Sequence, residues 1–336
     1  MFWLAASGKR ISSAASPLRE DLEYRLLGTT GLKVSRMTLG TNNFGRDVDE
    51  QTSVRVMRKA IDLGVNSVDT ANVYTKRRSE EIIGKAIRGD RERFVIATKV
   101  GNDVGEGPND SGLSRKHILW QVEESLRLLQ TDHIDIYYMH SFDQESPLEE
   151  TLKTFDRLVR DGKVRYVACS NFTVAEMKAA GEVSERLGLE RIVALQPPYN
   201  LLNRGVEKET LGYCAAEGIG TITYSALAGG FLTGKYADGI PAPSGTRGAL
   251  YPKFWGRMNR PENYAVVERF KAVARRAGIP LSQLALGWIA KNPAVTSMIV
   301  GASRPDQVEE NVRQLSERPP ADALAALDAI PVPPPT

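Results

Sequence analysis

The sequence predicts an α/β protein built as a closed (β/α)8 barrel, a TIM barrel, and three observations point there. Eight short apolar, β-branched runs recur along the chain, most of them separated by stretches of helical periodicity. Ahead of the first run, residues 24–35 read as a β-hairpin, two apolar stretches around Gly-Thr-Thr-Gly, suited to plug the N-terminal end of a barrel. After the seventh run comes a long loop rich in Gly, Pro, Tyr and Trp, residues 228–261. A loop of that length inside a compact domain usually has a function.

Taken in order, the strand runs are 36–41, 66–70, 94–100, 134–140, 164–170, 192–196, 220–226 and 297–301. The clearest helical stretches are 52–63, 79–88, 114–129, 148–160, 174–187 and 206–217. Ser114 and Thr173 stand at helix starts, and Thr173 with Glu176 forms the Ser/Thr-x-x-Glu capping pattern. Gly64, Gly162, Gly188 and Gly218 follow helices, where a left-handed residue without Cβ is wanted. Buried strands alternating with helices imply parallel βαβ units, and eight such units suit closure. A doubly wound open sheet shares this periodicity, so periodicity alone leaves the two open.

The chain shows no internal linker and no short repeat, so residues 21–336 are read as one domain and residues 1–20 as a flexible extension. That extension carries Lys9, Arg10 and Arg19 with no acid before Glu20, a faint likeness to a transit peptide. The balance of 44 Lys and Arg against 41 Asp and Glu leaves a net charge of +3, which gives no footprint for nucleic acid. No apolar run is long enough to span a bilayer. Cys169 and Cys214 are far apart and lack CxxC spacing, so neither a disulfide framework nor a metal site is expected, and reduced thiols in a cytoplasm fit best. His117 and His133 lack a ligand partner at metal spacing. Trp120 and Trp288 fit the core faces of helices.

In a barrel, residues at the C-terminal ends of strands face the active site. Those ends carry Asp69, Lys99 and His140, with Tyr74 one loop turn beyond Asp69. Alone, an Asp at a strand end is more often a cap or an ion-pair partner, and a Tyr is usually packing. Together the four can do chemistry. A phenol with a pKa of about 10 is a poor acid at neutral pH. A Lys99 ammonium beside Tyr74 would stabilise the phenolate and lower that pKa, and Asp69 would keep Lys99 charged and in place. His140 would donate to a substrate oxygen and orient it. No G-x-G-x-x-G follows a predicted strand, so the Rossmann fingerprint is absent.

The run from Asp69 to Tyr74, with Ala97-Thr-Lys99 and Tyr137-Tyr-Met-His140, resembles the catalytic tetrad of the aldo-keto reductases, at spacings of 5, 25 and 41 residues. The resemblance covers roughly residues 24–315. It implies a closed barrel that reduces aldehydes or ketones to alcohols with NADPH, Tyr74 acting as general acid. It further implies that Ser170, Asn171 and Gln196 grip the nicotinamide carboxamide and that Tyr224 stacks on its ring. Thr41 joins the cofactor set. Ser225, Leu227 and Gly229 would let backbone N–H groups approach the pyrophosphate, with Lys235 supplying charge and Arg247 folding over as part of a lid. The family often has Pro after Ser here, where this chain has Ala226; that loosens the loop but removes no donor.

The last strand ends in Gly301, and a helix starts near Pro305. Ser303 and Arg304 suit a 2′-phosphate at that helix N-terminus, which favours NADP over NAD. Gln307, Glu310 and Asn311 complete the adenosine side, Gln307 and Asn311 lying four apart on one face. A capped surface helix is the plain alternative. Asn43, Phe44, Phe142, Phe172 and Trp255 are the candidates for lining the substrate pocket.

The nearest sub-branch resembles both bacterial carbonyl or sugar reductases and potassium-channel β subunits. Besides an enzyme for a small carbonyl substrate, this implies a nicotinamide-binding regulatory subunit as an alternative. A reductase of a nucleotide-activated deoxysugar is another, since a large substrate would use the long loop. An unrelated isomerase or aldolase with Lys99 as a Schiff base is weaker, because Asp69 and Tyr74 would then be spectators. Nothing in the sequence argues for a particular oligomer.

Overall fold

The computed structural model describes residues 22–334; the expected extension at residues 1–20 lies outside the described residues. Eight parallel strands close into a barrel in the order β10-β3-β4-β5-β6-β7-β8-β9. They are β3 (Met37–Gly40), β4 (Ser67–Asp69), β5 (Val95–Val100), β6 (Ile134–Met139), β7 (Val164–Ser170), β8 (Ile192–Gln196), β9 (Gly220–Thr223) and β10 (Ser297–Gly301). Closure is made where Val300 of β10 pairs with Leu39 of β3. The doubly wound alternative is thereby excluded.

The hairpin is β1 (Tyr24–Leu26) with β2 (Lys33–Ser35), paired antiparallel. Its Leu27 and Val34 have no exposed surface and pack with Val95, Ala97, Ile136, Ala168, Ala194 and Ile222. Those residues lie on one parity of their strands, the lumenal one, so the hairpin seals the N-terminal mouth with apolar side chains. The same parity, followed to the C-terminal ends, delivers Asp69, Lys99, His140, Ser170, Gln196 and Tyr224 to the opposite mouth. One alternation thus makes the plug at one end and the polar site at the other.

Around the barrel, α1 (Glu50–Asp62), α2 (Arg78–Ala86), α3 (Arg115–Leu129), α4 (Leu148–Arg160), α5 (Val174–Leu187) and α6 (Thr210–Ala216) follow β3 to β8 in turn. Ser114 caps α3 through the His117 N–H, and Thr173 with Glu176 closes a full capping box on α5. Helix α2 approaches α3 so closely that a Cβ on Gly84 would lie 2.3 Å from the Leu128 carbonyl oxygen, so only glycine fits there.

Four expectations need correction. The stretch 206–217 is a 3-10 turn (Gly205–Glu207) followed by the shorter α6, and the turn is held where Tyr199 donates to Glu207 at 2.5 Å. The seventh run stops at Thr223, because Ser225 adopts a left-handed φ of 61°. The loop 228–261 contains a 3-10 segment (Ala228–Thr233) and two short helices, α7 (Arg247–Leu250) and α8 (Pro252–Met258). Trp120 is 40% exposed on α3 rather than core-facing, with Arg77 and Lys116 over its ring. Trp288 is buried as expected.

After the lid segment come α9 (Pro261–Ala277), α10 (Leu281–Ala290), α11 (Pro305–Ser316) and α12 (Ala321–Asp328). Cys169 and Cys214 are free and buried. Among the described residues there is no metal-capable cluster, and no helix is long and apolar enough to cross a membrane.

Candidate active site

The C-terminal mouth gathers a buried ion pair under a phenol. Lys99 Nζ donates to Asp69 Oδ1 at 2.7 Å and Oδ2 at 2.8 Å, and to the Thr70 carbonyl at 2.8 Å. It also lies 3.3 Å from the Tyr74 hydroxyl. The His140 ring meets Tyr74 edge-on, centroids 6.1 Å apart. The four expected residues are therefore brought together, each from its own strand end or the loop beyond it.

Burial pulls the Lys99 ammonium down, but Asp69 and Tyr74 outweigh it, and its pKa is raised. Lys99 stays charged. Burial raises the Tyr74 phenol, with Lys99 opposing. The sequence expectation that Lys99 would bring this phenol below its ordinary value is corrected: removal from water is the larger effect in the protein alone. Burial, then Lys99, holds His140 down to about 3, so its imidazole is neutral and presents one N–H. His140 Nδ1 is buried without a partner among the described residues.

Beside this cluster runs a continuous chain of polar contacts. Tyr224 donates to Asn171 Oδ1 at 2.9 Å, and Asn171 Nδ2 donates to the His140 carbonyl and to Ser170 Oγ, each at 3.0 Å. Ser170 donates to the Gln196 carbonyl at 2.9 Å, and Gln196 Nε2 donates to Asp69 Oδ2 at 2.7 Å. One N–H of the Gln196 side-chain amide is thus engaged with Asp69.

The 228–261 segment arches across the mouth. Arg247 lies over the rings of Tyr251 and Phe254, at 5.7 and 5.1 Å. Tyr251 in turn donates to Asp47 and lies under Arg46 at 4.5 Å, which ties the segment to the loop after β3. Gly229, at φ 63°, sits so close beneath Phe254 that a Cβ would be 2.1 Å from its ring. Leu227 is half-buried, and Ser225 and Lys235 are exposed. On the far side Gly301, Ser303 and Arg304 are exposed at the start of α11. Among the described residues Arg304 pairs with Asp306, at 3.2 Å.

Several expected residues sit elsewhere. Thr41 has no exposed surface, and its hydroxyl serves the Asp69 carbonyl and Ser79, so its side chain is turned away from a ligand. Phe44 is likewise fully buried and belongs to the core, not a pocket wall. Trp255 packs on Tyr236 and Phe231 inside the lid, at 5.1 and 5.8 Å. Asn43 reaches the Ala302 carbonyl at 3.3 Å, on the Gly301–Ser303 side. Gln307 caps its own helix by accepting from the Ser303 N–H at 2.7 Å, Asn311 is buried, and exposed Glu310 accepts from Gln314. Phe142 and Phe172 meet edge to face, centroids 5.3 Å apart, just past the ends of β6 and β7. Sequence reasoning missed the ties of Glu80 to Thr98 and Asn72 to Gln121, because the partners lie 18 and 49 residues away.

A closed parallel barrel with an Asp–Lys–Tyr–His cluster at its C-terminal mouth defines a barrel enzyme of the oxidoreductase type. The chain belongs to the aldo/keto reductase family, whose profile matches residues 36–331. It is 38% identical over 304 residues to a probable voltage-gated potassium channel subunit beta from Oryza sativa subsp. japonica, covering 89% of this chain and 92% of that protein. It is 35% identical over 306 residues to the L-glyceraldehyde 3-phosphate reductase of Escherichia coli (strain K12), covering 88% of each. An uncharacterized oxidoreductase of Bacillus subtilis (strain 168) is 38% identical over 304 residues, covering 87% of this chain and 90% of that protein.

Proposed function

We propose that the protein is an NADPH-dependent reductase of aldehydes or ketones with Tyr74 as general acid. The observation that carries this reading is the 3.3 Å approach of Lys99 Nζ to the Tyr74 hydroxyl while Asp69 and Thr70 hold the same ammonium. A phenolate formed as Tyr74 gives up its proton appears next to a fixed positive charge, and a positioned acid is worth roughly 10² to 10⁴ in rate. Neutral His140 offers one N–H to a carbonyl oxygen lying beside Tyr74, which fixes the oxygen as the site of protonation.

The residues present fit a phosphorylated nicotinamide dinucleotide. The exposed Ser303 and Arg304 stand at the N-terminus of the 12-residue α11, a setting that suits a 2′-phosphate. Lys235 and Arg247 bring positive charge to the lid, beside the left-handed Gly229 and Gly230. Ser170, Asn171 and Gln196 line the way to Tyr224, where a nicotinamide carboxamide would be held. When bound, the reduced cofactor supplies the two electrons that the reduction needs. Two buried free thiols suit a cytoplasmic enzyme.

Relatives named as potassium-channel β subunits favour a second reading, a regulatory subunit that binds the cofactor and turns over slowly. A fluorescence titration with NADPH and NADH, followed by consumption of NADPH with 4-nitrobenzaldehyde, separates the two. Tight binding with steady turnover that falls at least a hundredfold in Tyr74→Phe, at unchanged NADPH affinity, supports the reductase. Tight binding without turnover favours the regulatory subunit. No binding overturns both.

A further inference from the structure

Glu80 is a fully buried carboxyl in the first turn of α2, with no ion-pair partner among the described residues. Its Oε1 accepts from the Thr98 hydroxyl at 2.6 Å, and its Oε2 is buried without a partner. Ser125 and Tyr137 also present their hydroxyls on this side. The register of this polar seam is fixed from below, because Gly84, one turn on, is pressed against the Leu128 carbonyl. Burial pushes the Glu80 carboxyl up, with Thr98, Ser125, Arg77 and Lys99 opposing.

The position of this contact in the chain matters more than its strength. Thr98 is on the helix side of β5, and the next residue, Lys99, faces the lumen. On the other side, Tyr74 is followed by three consecutive left-handed residues, Thr75, Lys76 and Arg77, at φ 49°, 54° and 72°. L residues leave that conformation unless they are held. One hold is the bond from Thr75 Oγ1 to the Phe44 carbonyl at 2.8 Å; α2 is the other.

We propose that Glu80 is a positioning residue: its bond to Thr98 closes a short ring that sets the Tyr74 hydroxyl against the Lys99 ammonium. Through this bond Tyr74 is 6 residues from Glu80, and Thr98 is adjacent to Lys99; along the chain alone, Tyr74 and Lys99 are 25 residues apart. The proposal rests on Tyr74 acting as the acid. Opening the ring lengthens the Tyr74–Lys99 contact. Lys99 then stabilises the phenolate less, so the phenol titrates higher, while the Asp69, His140, Tyr224 and Arg247 that also face Tyr74 are untouched.

The test compares Thr98→Val, Glu80→Gln and Glu80→Leu, with Tyr74→Phe as reference. The phenol of Tyr74 is titrated in the cofactor-free protein by carbon NMR of ring-labelled tyrosine, Tyr74→Phe assigning the signal. NADPH affinity, kcat and KM for 4-nitrobenzaldehyde and thermal stability are measured alongside. Thr98→Val and Glu80→Leu are expected to lower kcat about tenfold to a hundredfold at unchanged NADPH affinity, as a misplacement of about 1 Å does, and to raise the Tyr74 titration. Glu80→Gln keeps an acceptor for Thr98 and is expected to restore both. A Thr98→Val protein with an unmoved phenol titration and kcat within about twofold of the parent, or a parallel loss of NADPH affinity, overturns the proposal. If Glu80→Leu does not fold, Thr98→Val carries the test. If Tyr74→Phe keeps full turnover, the acid assignment falls, while the phenol titration still decides whether the tie exists.

Discussion

Gln196 and Lys99 share one oxygen of Asp69, donating to Oδ2 at 2.7 and 2.8 Å from opposite sides of the barrel mouth. Asp69 is therefore fully engaged, and the charge pair at the site is locked by a neutral amide from a strand on the other side of the lumen. Removing one member of such a buried pair strands the other, at a cost of about 3–5 kcal/mol. Asp69→Ala and Lys99→Met should each destabilise the protein by that amount in urea unfolding. The double variant should cost less than the sum, because no charge is left unpaired. Strict additivity would mean that the pair is not a unit. Gln196→Leu, which only deletes a donor to a charged group, should cost about 1–3 kcal/mol.

The pH profile follows from two directions of shift. Tyr74 is raised above its ordinary value of 10.0, and reduction requires the protonated phenol, so the activity is present at lower pH and lost as pH rises through that raised value. His140 is held at about 3 and stays neutral above it. The kcat for carbonyl reduction should therefore be flat through the neutral range and fall only on the alkaline side. An inflection near the ordinary histidine value of about 6.5 would show that His140 titrates in the active enzyme and that its neutrality is wrongly assigned.

The alternation of strands and helices was legible in the sequence because it follows from local patterns, while closure into a barrel came from the family resemblance. Period-two alternation places Lys99 and Asp69 in the lumen, and the capping box at Thr173 starts α5 where it was expected. What escaped were relations between distant positions. Nothing near Phe44 marks it as core instead of pocket, since both are apolar. Thr41 looked like a ligand donor because its hydroxyl partners, the Asp69 carbonyl and Ser79, lie 28 and 38 residues away. Glu80 carries no local mark of its burial, since its partner Thr98 lies 18 residues away.

The proposed preference for NADPH over NADH rests on Arg304. Its partner Asp306 is as exposed as it is, and exposed pairs contribute about 0–1 kcal/mol, so the guanidinium is available to a 2′-phosphate at little cost. Arg304→Ala should raise the KM for NADPH by about tenfold or more while changing that for NADH far less, as loss of one charged contact implies. An unchanged ratio of the two KM values removes the 2′-phosphate assignment. Asp306→Asn should leave the ratio close to that of the parent.

Across the mouth, the 228–261 lid segment is tied to the loop after β3: Tyr251 donates to Asp47, with Arg46 over the Tyr251 ring at 4.5 Å. Arg247 lies over the same ring at 5.7 Å, so the aromatic links the lid's own cation to the loop after β3. A hydrogen bond to a charged group contributes about 1.5–3 kcal/mol, which corresponds to roughly one to two orders of magnitude in an opening equilibrium. If closure holds the cofactor, Tyr251→Phe should speed NADPH dissociation by about tenfold to a hundredfold in stopped-flow fluorescence. It should change the association rate much less, since the open lid is the state that binds. Asp47→Asn keeps an acceptor without charge and should fall between the two. A Tyr251→Phe protein that releases NADPH at the parent rate would mean that the lid is held by Phe254 against Gly229 instead of by this bond.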